Sequence, residues 1–333
     1  MSQKDKLNHR QAVLLLAHGT PETVEQIPEY LLNVTGGRPL PPHVVEEIQH
    51  RYSLIGHSPL TEVTLEQGRM VEAELAAAGL AVPVYVGMRN WKPYIGDVVR
   101  QMRADGVEEM AVICLAPQNS RTSVGLYRRA VESESEGLRI DFTEGWAQHP
   151  LLIEAFAERL KAALETISAQ AGGPVPVLFT AHSVPSRTVQ SAPVSPETVS
   201  RSGGPSALPP DPYAEEAKRT AELVAERTPE IPQWWFAFQS QGASGGPWIG
   251  PTVEETLDQV AAAGFRTLLL QPIGFLCDHV EILYDVDILF REHAAKLGLR
   301  LERPESLNNS ALLARAVADL ACQGLMRLSL AEG

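Results

Sequence analysis

The chain has 333 residues, 44% of them hydrophobic and 21% charged, with a net charge of −13. That length suits about two domains at ~150 residues each. The acidity disfavours a nucleic-acid partner, whose phosphates need a basic face. Cysteines at 114, 277 and 322 are too far apart for a CxxC zinc or dithiol motif, and a disulfide framework is not expected at this size. Residues 1–11 lack the apolar core of an export signal, and no uncharged apolar run approaches the ~20 residues of a membrane span, so a cytoplasmic protein is expected.

In chain order, apolar runs at 12–18, 83–88, 110–115, 138–143, 175–181, 234–239, 267–272 and 299–303 read as strands. Helical patterns lie between them near 42–54, 61–79, 93–105, 121–135, 148–171, 213–228, 252–263 and 278–297. Strand–helix alternation with continuous apolar strands predicts an α/β fold of parallel sheets covered on both faces. Residues 185–212, rich in Pro, Ser and Gly, read as a long loop: a flap beside a site or a solvated insertion.

The halves echo one another. Ala17-His18-Gly19-Thr20-Pro21 closes the first strand of one, and Ala181-His182-Ser183-Val184-Pro185 the first strand of the other. Lys92-Pro93-Tyr94-Ile95-Gly96 and Gly246-Pro247-Trp248-Ile249-Gly250 each precede a helix, and 103–117 resembles 261–272. The reading is two Rossmann-like doubly wound lobes, 1–150 and 151–333. Ligands in such sheets sit beyond the strands' carboxyl ends. His18, Gln118, His182, Gln239 and 273–281 all follow strand ends and would gather around one cleft. No GxGxxG or GxxxxGK[ST] follows a strand, which opposes a nucleotide cofactor bound in the usual way.

His182, at a strand tip, can ligate a metal or accept a proton near neutral pH; a histidine bonded to a loop carbonyl fits the same sequence. His18 carries the same two readings. Asp278, Glu281 and Asp285 share a helical face by spacing, whereas Asp287 leaves it. Asp278 and Glu281 also have the outline of a capping box. His279 and Glu281 are two apart, a poor chelating pair on a helix, so His182 with Glu281 is the preferred combination. Trp248 can wall a pocket or pack in the core. Arg51, Tyr52, Ser58 and Tyr127 offer donors for carboxylates, or are surface and core residues.

Together, LLAHGTP, the AHS-P strand end, FQS-G…PW-GP and the DH-E-LYD helix resemble the ferrochelatase family over about residues 12–325. The resemblance implies two chelatase-like Rossmann lobes with a porphyrin cleft between them, and Fe2+ inserted into the ring as a substrate in haem synthesis. It implies His182 and Glu281 as the catalytic and metal-binding pair. His18, Arg51, Tyr52, Ser58 and Tyr127 become porphyrin contacts, with His18, where many relatives have tyrosine, an axial ligand to product haem. Thr35 replaces a basic residue of the family. The short polar segment 35–42 and the Gln239–Trp248 loop favour coproporphyrin III over protoporphyrin IX. The implied partners are the porphyrin, Fe2+ and neighbouring haem-pathway enzymes, around a monomeric chain. With only Cys322 near the C-terminus, no [2Fe–2S] cluster is expected. The alternatives are a sirohydrochlorin-type cobalt or iron chelatase, a non-catalytic two-lobed binding protein, and a nucleotide-dependent α/β enzyme.

Overall fold

The apolar runs assemble into two sheets of four parallel strands each. In the computed structural model, which describes residues 10–189, 210–242 and 246–331, the first sheet comprises β1 (Gln11–Ala17), β2 (Val84–Met88), β3 (Glu109–Cys114) and β4 (Arg139–Thr143), ordered β2-β1-β3-β4. The second comprises β5 (Val177–His182), β6 (Trp234–Gln239), β7 (Thr267–Pro272) and β8 (Arg300–Glu302), ordered β6-β5-β7-β8. The orders coincide once β5 is equated with β1, so the repeat is one of topology.

The helices are α1 (Ile27–Val34), α2 (Pro42–Ile55), α3 (Leu60–Ala77), α4 (Ile95–Ala104), α5 (Val124–Glu132), α6 (Pro150–Ala171), α7 (Tyr213–Glu226), α8 (Val253–Ala262), α9 (Val280–Leu283), α10 (Arg291–Lys296) and α11 (Ala311–Leu330), with a single turn at Ser186–Val189. A π-helical stretch, Asp285–Phe290, joins α9 to α10. Two helices fall outside the sequence expectation. α1 is short and carries a proline in its first turn, where proline is tolerated but gives little helical signal. α11 buries residues on most of its circumference, so its apolar period is weak, as for a helix enclosed by protein.

Each strand sends alternate residues to opposite faces. Val13, Leu15 and Ala17 of β1 and Val177, Phe179 and Ala181 of β5 enter one shared core with Leu152, Phe156 and Leu160 of α6 and Leu313 and Val317 of α11. Ala12, Leu14 and Leu16 face a second core under α4 and α5. Leu178, Leu268 and Leu270 face a third under α8 and the α9–α10 segment. The central core therefore joins the lobes. α11 returns to the first sheet: a Cβ on Gly324 would lie 2.9 Å from that of Ala111, and Arg327 grips Asp141 through two bonds of 2.7 and 2.8 Å.

The structure also corrects one register of the repeat. Met88 N–H donates to the Pro93 carbonyl at 2.7 Å, and Phe238 N–H to the Pro251 carbonyl at 2.8 Å. Parallel bridges join Met88 to Tyr94 and Phe238 to Thr252. Residues 92–95 thus correspond to 250–253, four positions beyond the match made through Pro247.

Candidate active site

His182 is the last residue of β5, and His18 directly follows β1. Both strands lie where successive connections leave toward opposite faces, the usual ligand position of open α/β sheets. Two glycines let the backbone close on this point. Gly19 has φ +77°, and a Cβ there would come within 2.8 Å of Met88 Cβ. A Cβ on Gly274 would lie 3.1 Å from both Cα and Cβ of Ala181, so any side chain there would crowd the chain after β7 against the end of β5.

The strand ends open onto one cavity of about 380 Å3, lined from the first lobe by His18, Tyr30, Arg89, Gln118 and Tyr127 and from the second by His182, Tyr213, Trp248, His279 and Glu281. That volume is within the range of small-molecule sites. His182 Nε2 lies 3.2 Å from Glu281 Oε1. Its Nδ1–H donates to the Ser183 carbonyl, while the Tyr213 hydroxyl donates to the His182 carbonyl at 2.8 Å. Gln239 fastens the other side of the pair, donating to the Glu281 carbonyl at 3.0 Å and accepting from Thr180 at 2.6 Å. Burial alone would lower the basicity of His182, but the charge and hydrogen bond of Glu281 and the Ser183 carbonyl raise it above the ordinary imidazole value. Burial would raise the Glu281 acid; His182 and His279 instead hold it well below the carboxylate range. Each group thus favours the charged form of the other, imidazolium beside carboxylate.

His279 corrects the sequence reading. The helix begins at Val280, so His279 is extended (φ −164°, ψ −176°) and its Nε2 reaches Glu281 Oε2 at 3.3 Å. The capping box does not form either. His279 occupies the cap position, and Asp278 is held by Arg303 at 3.1 Å, Ser306 at 2.7 Å and Asn308 at 2.9 Å. Asp287 leaves the face as expected and binds Arg303. Asp285 stays beside the pair: it accepts from Ser240 at 2.5 Å, and burial, with Glu281 nearby, pushes its acid up to about 6. Among the described residues, no group of three or more His, Cys, Asp or Glu side chains converges to hold a metal ion.

On the opposite wall, His18 Nε2 lies 2.9 Å from the Tyr30 hydroxyl and 3.0 Å from Asn90 Nδ2. Burial and then the Arg89 charge push His18 down to about 3, so it is neutral. Of the other residues expected to contact a porphyrin, Tyr127 lines the cavity, but Arg51, Tyr52 and Ser58 do not. Arg51 lies on α2, bonded to Glu47 and 3.8 Å from Asp285. Tyr52 is buried against Tyr30 and Trp91, and its hydroxyl and that of Ser58 have no hydrogen-bond partner among the described residues. The Thr35 hydroxyl is engaged by the carbonyls of Leu31 and Arg38. Of the loop 185–212, residues 190–209 lie outside the described residues. At its ends, Arg121 donates to the Thr188 carbonyl at 3.0 Å, and its backbone N–H donates to Asp211 at 2.8 Å.

Sequence reasoning missed Tyr30, Arg89, Asn90 and Tyr213. For Arg89 and Asn90 a signal was present, since they directly follow β2 and obey the same strand-end rule that picked out the histidines.

Two doubly wound parallel lobes whose strand ends face a shared cavity define a chelatase fold. The same fold occurs in the sirohydrochlorin chelatase SirB from Bacillus subtilis subspecies spizizenii (TM-score 0.51, 11% identity, 94% of each chain). It also occurs in SirB from Bacillus subtilis (TM-score 0.53, 12% identity, 97% of this chain and 98% of that one). The family model for ferrochelatase matches residues 10–325. The ferrochelatase of Acidobacterium capsulatum is 59% identical over 98% of each chain. The coproporphyrin III ferrochelatase of Mycolicibacterium vanbaalenii is 33% identical, covering 93% of this chain and 88% of that one. This chain belongs to the ferrochelatase family.

Proposed function

We propose that the chain inserts Fe2+ into a porphyrin held between the lobes, with coproporphyrin III as the preferred ring. The observation that carries this reading is the 3.2 Å approach of His182 Nε2 to Glu281 Oε1 at the cavity wall. A cation bonded at ~2.1 Å to an imidazole nitrogen and a carboxylate oxygen keeps those donors ~3 Å apart, so the pair is spaced for one cation. Two protein donors from borderline and hard ligand classes suit an ion that must move on, where thiolates would retain it. Insertion exchanges Fe2+ for the two pyrrole N–H protons of the ring, and those protons need acceptors. His182 and Glu281 take the first role as ligands to arriving iron and the second as proton acceptors. Arriving Fe2+ displaces the His182 proton to solvent, because an imidazolium cannot ligate, and as the iron passes into the ring the freed His182 and Glu281 accept the two pyrrole protons. His18, neutral and on the other wall, faces the opposite side of the ring. No resident cofactor enters this scheme.

The ring preference is supported by relatives named coproporphyrin III ferrochelatases and by the short, exposed polar connection 35–41 between α1 and α2. Protoporphyrin IX is the second reading, favoured by the exposed apolar side chains of Leu32 and Val34 beside that connection. The test is anaerobic: purified protein with Fe2+ and either ring in parallel, followed by absorbance. Faster consumption of coproporphyrin III is expected. Faster consumption of protoporphyrin IX reverses the preference, and no metallation of either ring overturns the reading.

A further inference from the structure

Arg89 is a cavity residue that the iron chemistry does not use. It stands just past β2 and is the one Lys or Arg, among the described residues, lining the cavity. Its Nε is buried with no hydrogen-bond partner among the described residues, and its guanidinium lies over the Tyr127 ring, 5.4 Å from the centroid. Among the described residues it pairs with no carboxylate, although the chain carries 41 Asp and Glu against 28 Lys and Arg. By contrast Arg303 has carboxylate partners in Asp278 and Asp287, Arg327 in Asp141 and Arg51 in Glu47, although the Arg51 Nε is likewise unpartnered among the described residues. An uncompensated guanidinium facing a cavity is a receptor for an anion from outside. Its planar fork matches a carboxylate through two parallel bonds. The Glu281 carboxylate on the opposite wall repels an anion and so reinforces the direction.

We propose that Arg89, with Tyr127 alongside, receives one carboxylate substituent of the bound ring and thereby sets which edge of the ring enters the first lobe. This deepens the proposed function and rests on its porphyrin reading. It moves the interior carboxylate contact from Arg51, which is engaged by Glu47 outside the cavity, to Arg89.

The test compares coproporphyrin III with its tetramethyl ester, both in the same detergent, binding to metal-free wild type, Arg89→Gln and Arg89→Lys by fluorescence quenching. Arg89→Gln should weaken binding of the acid about tenfold or more, as for a lost charge-assisted bond. The ester should bind both proteins alike, and Arg89→Lys, a point charge without the fork, should recover part of the loss. Equal weakening of acid and ester in both variants would make Arg89 a packing residue, and no change in either would remove it from the site; both overturn the assignment. Failure of wild type to bind either ring would instead overturn the porphyrin reading itself.

Discussion

His18 and His182 leave the carboxyl ends of equivalent strands, β1 and β5, and line the same cavity, yet their surroundings drive them in opposite directions. Burial opposes protonation of both. At His18 the charge of Arg89 adds to it, and the hydrogen-bonding neighbours, Tyr30 and Asn90, are neutral. At His182 the Glu281 carboxylate, 3.2 Å away, outweighs the burial cost. The difference arises after the neighbouring strand. Residues 115–123, beyond β3, contain no acid, whereas 273–281, beyond β7, deliver His279 and Glu281. A duplicated scaffold supplies two equivalent positions, and one connection brings a carboxylate to the histidine of the second lobe.

The largest effects should come from removing that distinction. His182→Ala and Glu281→Gln should each lower the rate of iron insertion by about 10²–10⁴-fold, the usual range for a positioned acid–base group. Porphyrin affinity, read by fluorescence, should change little. Retained insertion in His182→Ala would end the asymmetry as an account of function. The titrations sharpen the same contrast without metal. In NMR spectra of the metal-free protein, His182 should take up its proton above the ordinary imidazole value, while His18 should stay neutral down to about pH 4, since its own value is about 3. In Glu281→Gln the His182 titration should move down, because burial is then opposed by less charge. A His182 that does not move would place the origin of its basicity elsewhere.

Asp285 gives a smaller effect with a defined sign. Its acid is raised from 3.8 to about 6, chiefly by burial, so the folded state holds the proton more tightly than the unfolded chain. The associated stabilisation is fully present below about pH 4 and is lost as pH rises through about 6. At pH 7.5 the ionised group costs about 3 kcal/mol. Asp285→Asn should therefore raise the melting temperature at pH 7.5 by several degrees and converge with wild type near pH 4. Equal stability at both pH values would show that the Ser240 hydrogen bond already compensates for the buried charge.

How much of this was legible in the sequence follows from what each feature depends on. The strands were readable because burial on both faces makes continuous apolar runs, and strand-end histidines pointed to the cavity. The His182–Glu281 combination was readable because each residue follows its own strand end in the second lobe. His279 was dismissed because helical spacing was applied to a residue that is extended, and one residue of helix start decides that geometry. Arg51, Tyr52 and Ser58 were chosen from local context, but which side of α2 and its following turn faces the cavity depends on how α1 and α2 pack, and α1 was not foreseen. The strand-end rule could have placed Arg89 near the cavity, but its significance lies in the carboxylate it lacks, a property of the folded charge arrangement and not of any motif.

The finest test of the two-histidine contrast is Tyr30→Phe. The Tyr30 hydroxyl lies 2.9 Å from His18 Nε2, and burial pushes Tyr30 well above the ordinary phenol value, so it stays a neutral hydrogen-bonding group. Removing it leaves His18 with Asn90 as its hydrogen-bonding neighbour. A neutral hydrogen bond of this kind contributes about 1 kcal/mol, so the rate of insertion should change by less than about fivefold. His18 should remain neutral, because its depression comes from burial and Arg89 and not from the phenol. A Tyr30→Phe variant whose His18 titrates near 6 would show that the phenol, and not burial, separates the two walls, and would require the first lobe to be read as a second proton-handling site.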